Sequence, residues 1–240
     1  MIKQAFEYLI GLAKIDKTEI SGRNFTLQDV NEIKPLQISP IKIHTLQGVV
    51  DFFKGEDGLS IDIEPKDAMI QIVDPCTVRV YSAKATDVHR QRECFLEATR
   101  INQDFQFDSW YNQEQMVIKL MTMFNKSESM EEVIKVVSGL VASASVTVND
   151  DGLGQDVTVR KGVSRVEQVE IKNPIMLEPI RTFTEVDQVS APHVLRVRCV
   201  REELEIAIFE AGGGQWKNEA ITKIKEWLRE EIGEDVKILG

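Results

Sequence analysis

The sequence predicts an α+β fold that combines antiparallel sheets and a long β-hairpin with about four or five helices. Three observations favour this class. Short runs rich in β-branched residues alternate with turn residues over 59–101 and again over 145–208. Apolar residues spaced three and four apart mark separate helical segments. Near the C-terminus, a strand, three consecutive glycines and a helix follow one another before Gly233.

The length of the chain limits it to two folded units. Its 240 residues, of which 42% are hydrophobic, suffice for one sizeable core, or for one core and a smaller module. We expect an N-terminal helix and hairpin module over residues 1–58 and a main α+β domain over residues 59–240.

The N-terminal module begins with an apolar helical stripe over residues 2–14. Two short strands are predicted near residues 18–20 and 25–28, and a third precedes Thr45. Because Thr45 is a good N-cap and Gly55 a good helix terminator, we expect a helix between them.

The main domain begins with strands and a hairpin. The predicted strands cover residues 60–63, 69–73, 77–81 and 93–99. Polar residues 82–92 separate the last two strands, which indicates the tip of a long hairpin. Basic residues are spread through this region: Arg79, Lys84, Arg90, Arg92 and Arg100.

Two helices and three further strands follow. The first helix has an apolar face that consists of Val117, Leu120, Met121 and Phe124. The second is expected to begin at a capping box formed by Ser129 and Glu132. The strands are predicted over residues 145–148, 156–160 and 166–171.

An antiparallel hairpin is predicted over residues 195–208, where apolar and polar residues alternate. With a two-residue loop, Val197 faces Ile206 on the core side. The same register places Arg198 opposite Glu205 on the solvent side.

The last helix carries an apolar stripe that includes two tryptophans. Its members are Trp216, Ala220, Ile224, Trp227 and Leu228. Trp216 and Trp227 are able to stack on bases, but burial or a subunit contact is favoured because both lie on the apolar face.

The net charge and the cysteine content argue against several classes of protein. A net charge of −10 argues against a protein that coats nucleic acid electrostatically. Three widely separated cysteines suggest neither a disulfide framework nor a structural zinc site. The histidines have no partner at ligand spacing, so we expect no metal and no cofactor. Without a secretory signal or a long apolar run, an intracellular protein that does not contact a membrane is expected.

The triple glycine is the first candidate ligand site. Amide groups of Gly212, Gly213 and Gly214 are able to point at an anion docked on the following helix, with Lys217 or Arg181 nearby. A tight reversal from strand to helix explains the glycines without a ligand, and no phosphate-loop or dinucleotide fingerprint is present. For Arg181, an ion pair within the molecule or between subunits, with Glu185 as one partner, is favoured over a bound anion.

A nuclease arrangement is the second candidate site. Glu170 and Lys172, preceded either by Asp156 or by Asp150 and Asp151, match the Asp…Glu-x-Lys pattern that holds a divalent cation in metal-dependent nucleases. Alternating Glu and Lys on an exposed strand gives the same letters, so the nuclease interpretation is disfavoured and no catalytic residue is assigned.

Three segments, residues 150–162, 173–186 and 208–217, together resemble an uncharacterised family carried by tailed bacteriophages and prophages, similar to the YfdQ-type prophage proteins. The similarity covers the C-terminal 100 residues well and the first 100 loosely. The resemblance implies a viral protein that is expressed in the host bacterial cytoplasm. It implies no reaction and no active site.

We therefore expect a non-enzymatic phage accessory protein that self-assembles into a homo-oligomer, with a ring or a capsid-like shell as one form. Strands over 68–101 and the basic residues flanking them are expected to supply part of the subunit contact. Two alternatives stay open. A nucleic-acid-binding or recombination accessory needs those basic residues to line one face. An anti-defence protein that sequesters a small nucleotide would use the glycine amides.

Overall fold

The computed structural model describes residues 17–20, 23–26, 31–32, 39–55, 65–84, 92–101, 103–140, 154–161, 165–201 and 203–240. Within these ranges the fold is α+β, as predicted, with four α-helices and mostly antiparallel sheets. No helix in these ranges is long and apolar enough to span a membrane. The predictions for residues 2–14, 60–63 and 145–148 and for most of the hairpin tip fall outside the described ranges.

The elements are as follows. The first seven strands are β1 (Lys17–Ile20), β2 (Arg23–Thr26), β3 (Asn31–Glu32), β4 (Ile41–Ile43), β5 (Ala68–Asp74), β6 (Thr77–Ser82) and β7 (Cys94–Thr99). The other seven are β8 (Tyr111–Asn112), β9 (Gly154–Lys161), β10 (Arg165–Lys172), β11 (Ile175–Leu177), β12 (Ala191–Val200), β13 (Glu203–Glu210) and β14 (Lys237–Leu239). The helices are α1 (Leu46–Lys54), α2 (Gln113–Met123), α3 (Glu128–Gly139) and α4 (Gln215–Ile232).

A five-stranded sheet has the order β14-β5-β6-β7-β4. Its three central strands are antiparallel, whereas β14 pairs parallel to β5 and β4 pairs parallel to β7. Helix α1 packs on β7, α4 packs on β5, and the two helices contact each other. The core beneath them includes Val50, Ile70, Val80, Leu96 and Ile224, all buried.

Helix α1 forms as its sequence predicts. The side chain of Thr45 accepts a hydrogen bond from the amide of Gly48 at 3.2 Å and caps the first turn. Gly55 ends the helix in the left-handed conformation, with φ of 59°. The predicted boundary at residue 58 lies outside the described ranges, and the domain division stays a prediction. Strand β4 and α1 nevertheless belong to the five-stranded sheet and its core.

A second sheet, of order β11-β12-β13-β8, carries the predicted C-terminal hairpin. Val197 pairs with Ile206 and both are buried, so the predicted register is confirmed. Arg198 pairs with Glu205, and its Nε donates to the carboxylate at 2.6 Å. Helices α2 and α3 contribute to the core on which this sheet packs.

The predicted start of α3 is wrong by two residues. Ser127, and not Ser129, is the N-cap: its side chain accepts from the amide of Met130 at 3.2 Å. Ser127 has an extended backbone, as a capping residue requires, whereas Ser129 already lies in the first helical turn. The capping box of Ser129 with Glu132 therefore does not form.

Candidate functional site

Three glycines link β13 to α4. Gly212, Gly213 and Gly214 have φ values of 92°, 61° and 80°. The predicted order of strand, glycine loop and helix is thus confirmed. A run of positive φ values suits glycine because it has no Cβ to clash with the following carbonyl. Gly213 is exposed, and a Cβ placed on it would have no heavy atom within 4 Å.

The N-terminus of α4 lacks a side-chain cap. Gly214 is the N-cap residue and has no side chain to accept a hydrogen bond. Within the loop, the amide of Gln215 donates to the Gly212 carbonyl at 3.2 Å. Among the described residues, the amides of Gly213, Gly214 and Trp216 have no acceptor. Free amides at a helix N-terminus carry partial positive charge, so this end of α4 is able to receive an anion.

Arg181 is buried beside this helix, with 5% of its surface exposed. Its Nη1 donates to the carboxylate of Glu210, the last residue of β13. Its guanidinium carbon lies 3.6 Å from the centroid of the Trp216 ring. The expectation of an ion pair within the molecule is met, but the partner is Glu210 rather than Glu185. Glu185 instead accepts from the amide of Leu46 at 2.7 Å, at the start of α1.

Burial leaves the Arg181 guanidinium only partly satisfied. Its Nε and Nη2 atoms are shielded from solvent and have no hydrogen-bond acceptor among the described residues. Burial lowers the pKa of Arg181 to about 10, although the charge of Glu210 opposes this shift. The guanidinium therefore remains a cation at neutral pH, held against an aromatic ring.

Gln188 fixes the backbone around Arg181. Its side-chain oxygen accepts from the amides of Arg181 at 2.9 Å and Thr182 at 3.1 Å. Its side-chain nitrogen donates to the carbonyl of Phe183 at 3.1 Å. Gln188 is buried and was not identified from the sequence, because a lone glutamine in a polar stretch carries no local pattern.

His193 lies on the other side of the same cluster. Only 1% of its surface is exposed, and its ring stacks on Phe107 with centroids 5.2 Å apart. Its Nδ1 lies 2.8 Å from the carbonyl oxygen of Ala191, so this nitrogen carries the hydrogen. Burial, reinforced by the nearby charge of Arg181, lowers the pKa of His193 to about 4. At neutral pH it is a neutral histidine with a structural role.

Lys217 completes the predicted ligand set. It is exposed, and its Cδ and Cε atoms lie 4.0 Å from the position of a Cβ on Gly214. Its Nζ lies 5.9 Å from the centroid of the Trp216 ring. The fold thus brings Arg181, Lys217 and the glycine loop together around one indole, although ligand binding there stays a prediction.

The described basic residues in and around the first hairpin are engaged within the chain. The ion pairs are Arg79 with Glu97, Lys84 with Asp67, and Arg100 with Asp104. Arg92 donates to backbone carbonyls at the end of β6 and just beyond it. Arg90 lies outside the described ranges. A cation already paired with a carboxylate is less available to a phosphate backbone, so this arrangement does not favour a nucleic-acid surface.

The nuclease pattern has only partial geometric support. The register of β9 with β10 places Asp156 opposite Glu170, whereas Asp150 and Asp151 lie outside the described ranges. Ile171 is buried and Lys172 is exposed. In the part of the chain that the structure describes, no three acidic, histidine or cysteine residues form a group that would hold a metal ion.

Comparison with known proteins gave no match among family models, curated proteins or solved structures. The resemblance to a phage and prophage family remains a proposal.

Proposed function

We propose that the protein acts by self-association, with copies joined edge to edge through the five-stranded sheet. The observation that carries this proposal is the pair of strands at the two edges of that sheet. In the described part of the chain, β4 and β14 each have a partner strand on one side only. An open strand edge presents unpaired amide and carbonyl groups to a second chain.

The directions of the two edge strands are compatible with head-to-tail pairing. Strands β5 and β7 run in the same direction because each is antiparallel to β6. Strand β14 is parallel to β5 and β4 is parallel to β7, so both edges run the same way. The β4 edge of one copy is therefore able to pair, parallel, with the β14 edge of the next.

Both edges carry an exposed apolar side chain. Ile41 on β4 is 54% exposed, and Leu239 on β14 is 39% exposed. Pairing would remove part of this apolar surface from water. Each edge strand has three residues, so a single contact is small and association is expected to depend on protein concentration.

A contact between two different edges is heterologous. Such contacts close into a ring when the rotation between copies allows it and otherwise extend into a filament. A ring or shell is consistent with the accessory role proposed from the phage resemblance. Strands β5, β6 and β7 lie inside the sheet, so the open edges belong to their neighbours.

The biological setting is part of the same proposal. We infer a non-enzymatic phage or prophage protein that works in the host bacterial cytoplasm. This inference rests on the resemblance of residues 150–162, 173–186 and 208–217 to the phage family. Nucleic acid is a weaker candidate partner, because the described cations of the first hairpin are engaged by the protein's own groups.

Matched variants test the edge contact. Ile41→Lys places a charge on the β4 edge, whereas Ile118→Lys places one on α2, where the native side chain is 53% exposed. Light scattering across a range of protein concentrations is expected to show weaker association for Ile41→Lys and native association for Ile118→Lys. Equal behaviour of the two variants would exclude the β4 edge as the contact.

A further inference from the structure

We infer that the glycine loop before α4 is a binding site for the phosphate group of a small phosphorylated molecule. The site uses residues different from those of the β4 and β14 edges, and it does not depend on self-association. It consists of the amides of Gly213, Gly214 and Trp216 with the side chain of Lys217, and Arg181 supports it from the buried side.

The first observation that supports a phosphate site is the set of free backbone amides at the N-terminus of α4. Three amides within four consecutive residues have no acceptor among the described residues. They lie at the N-terminus of an 18-residue helix, whose dipole adds partial positive charge at the same point. Phosphate oxygens are the ligands that such amides bind in many proteins.

The second support is independent of the loop geometry. Arg181 is 95% buried, and two of its nitrogens lack an acceptor among the described residues. Its guanidinium carbon lies 3.6 Å from the centroid of the indole ring of Trp216, the second residue of α4. A buried cation at the positive end of a helix dipole is unfavourable unless negative charge compensates it.

Glu210 supplies one compensating charge but leaves the loop free. Its carboxylate is engaged by Nη1 of Arg181. No carboxylate among the described residues accepts from the loop amides. The loop therefore keeps its donors for an external anion.

A tight strand-to-helix reversal explains only part of this arrangement. It accounts for the positive φ values, but it does not require Gly213, because an asparagine also adopts this conformation and no atom restricts a Cβ there. Gly213 is exposed, so a small neutral side chain is tolerated there without loss of access to the amides.

The substitution pair Gly213→Asp and Gly213→Asn tests the site directly. The two side chains have the same shape and both tolerate positive φ, so the variants differ in one charge beside the amides. Inorganic phosphate and adenosine monophosphate are each titrated into the two variants and the native protein. Amide proton–nitrogen correlation spectra report the positions that respond.

A second pair of variants isolates the contribution of Lys217 to phosphate binding. Lys217→Gln removes a charge at the loop, and Arg229→Gln removes one in the last turn of the same helix. Since both are exposed residues, neither change is expected to unfold the protein. The comparison separates a local contact from a change in net charge.

On addition of phosphate we expect saturable changes in the amide chemical shifts of Gly214, Trp216 and Lys217. These changes should occur in the native protein and in Gly213→Asn, and not in Gly213→Asp. Lys217→Gln is expected to bind at least about fivefold more weakly than Arg229→Gln. Binding of adenosine monophosphate at least as tight as that of inorganic phosphate supports a phosphate ester as the ligand, and weaker binding indicates free phosphate; either result supports an anion site at the loop. Absence of saturable shifts in the native protein, or equal binding by Gly213→Asp and Gly213→Asn, would overturn it.

Discussion

Arg181 lies against Trp216, with its guanidinium carbon 3.6 Å from the centroid of the indole ring. This contact joins the segment after β11 to the first turn of α4, and Glu210 at the end of β13 completes it. Three parts of the chain therefore meet at one buried cation. We expect the stability of the molecule to depend on how that charge is compensated.

Two glutamates on β13 allow the ion pair of Arg181 to be tested. Glu210 partners a buried arginine, whereas Glu205 partners Arg198, whose side chain is 46% exposed. We expect Glu210→Gln to lower the free energy of unfolding by about 2 kcal/mol, because it leaves a buried cation uncompensated. Glu205→Gln is expected to lower it by less than about 1 kcal/mol. Urea unfolding at neutral pH measures both, and equal losses would contradict this account.

His193 is expected to make stability dependent on pH. Its pKa is lowered from 6.5 to about 4 in the folded protein, so between these values the unfolded chain binds the proton and the folded one does not. The contribution of the neutral histidine to the free energy of unfolding is therefore present above pH 6.5 and is lost as the pH falls toward 4.

The expected loss from this histidine between about pH 7.5 and about pH 5 is about 2 kcal/mol of unfolding free energy. His193→Asn is less stable overall but removes the titrating group, so its own loss over this interval should be smaller by that amount. Denaturant unfolding at both pH values makes the comparison. An identical pH dependence in the two proteins would show that His193 is not buried as described.

Glu185 is expected to stabilise α1 from a distant part of the chain. Its carboxylate accepts from the amides of Leu46 at 2.7 Å and Gln47 at 3.3 Å, beside the cap that Thr45 provides. We predict that Glu185→Ala lowers the unfolding free energy by about 1 kcal/mol. Glu219→Ala, at an exposed position of α4, serves as the control and should change it by less than about 0.5 kcal/mol. Thermal unfolding that shows no difference between the variants would argue against this cap.

The electrostatics of the glycine loop can also be measured without a ligand. Gly213→Asp places a carboxylate near the N-terminus of α4, and Gly213→Asn places a neutral amide of the same shape there. We expect the aspartate variant to be more stable than the asparagine variant by about 0.3–1 kcal/mol at neutral pH and low salt. The difference should shrink at high salt. Melting temperatures that favour asparagine would contradict the positive character of this loop.

Local sequence patterns were sufficient to predict much of the fold. The register of Val197 with Ile206 follows from alternation and a two-residue loop, since a shift by one residue would expose every core side chain. The Thr45 cap and the order of strand, glycines and helix near the C-terminus follow from residue types at fixed spacing.

Other features depend on tertiary placement and leave no local pattern. Arg181 pairs with Glu210 because β13 ends beside it, and no spacing distinguishes Glu210 from Glu185 as its partner. Ser127 and Ser129 are both suitable caps by residue type, and only the backbone conformation decides between them. The role of Gln188 depends on the path of the loop that it supports.

The central claim is a head-to-tail contact between β4 and β14, and mixing two variants tests it most directly. Ile41→Lys alters the β4 edge and leaves β14 intact, whereas Leu239→Lys does the reverse. Each variant alone should scatter as a monomer of 27.2 kDa at concentrations where the native protein forms larger assemblies. An equal mixture should form a dimer and nothing larger, because one intact pair of edges remains. A native protein that stays monomeric at high concentration, or a mixture that never dimerises, would contradict the claim.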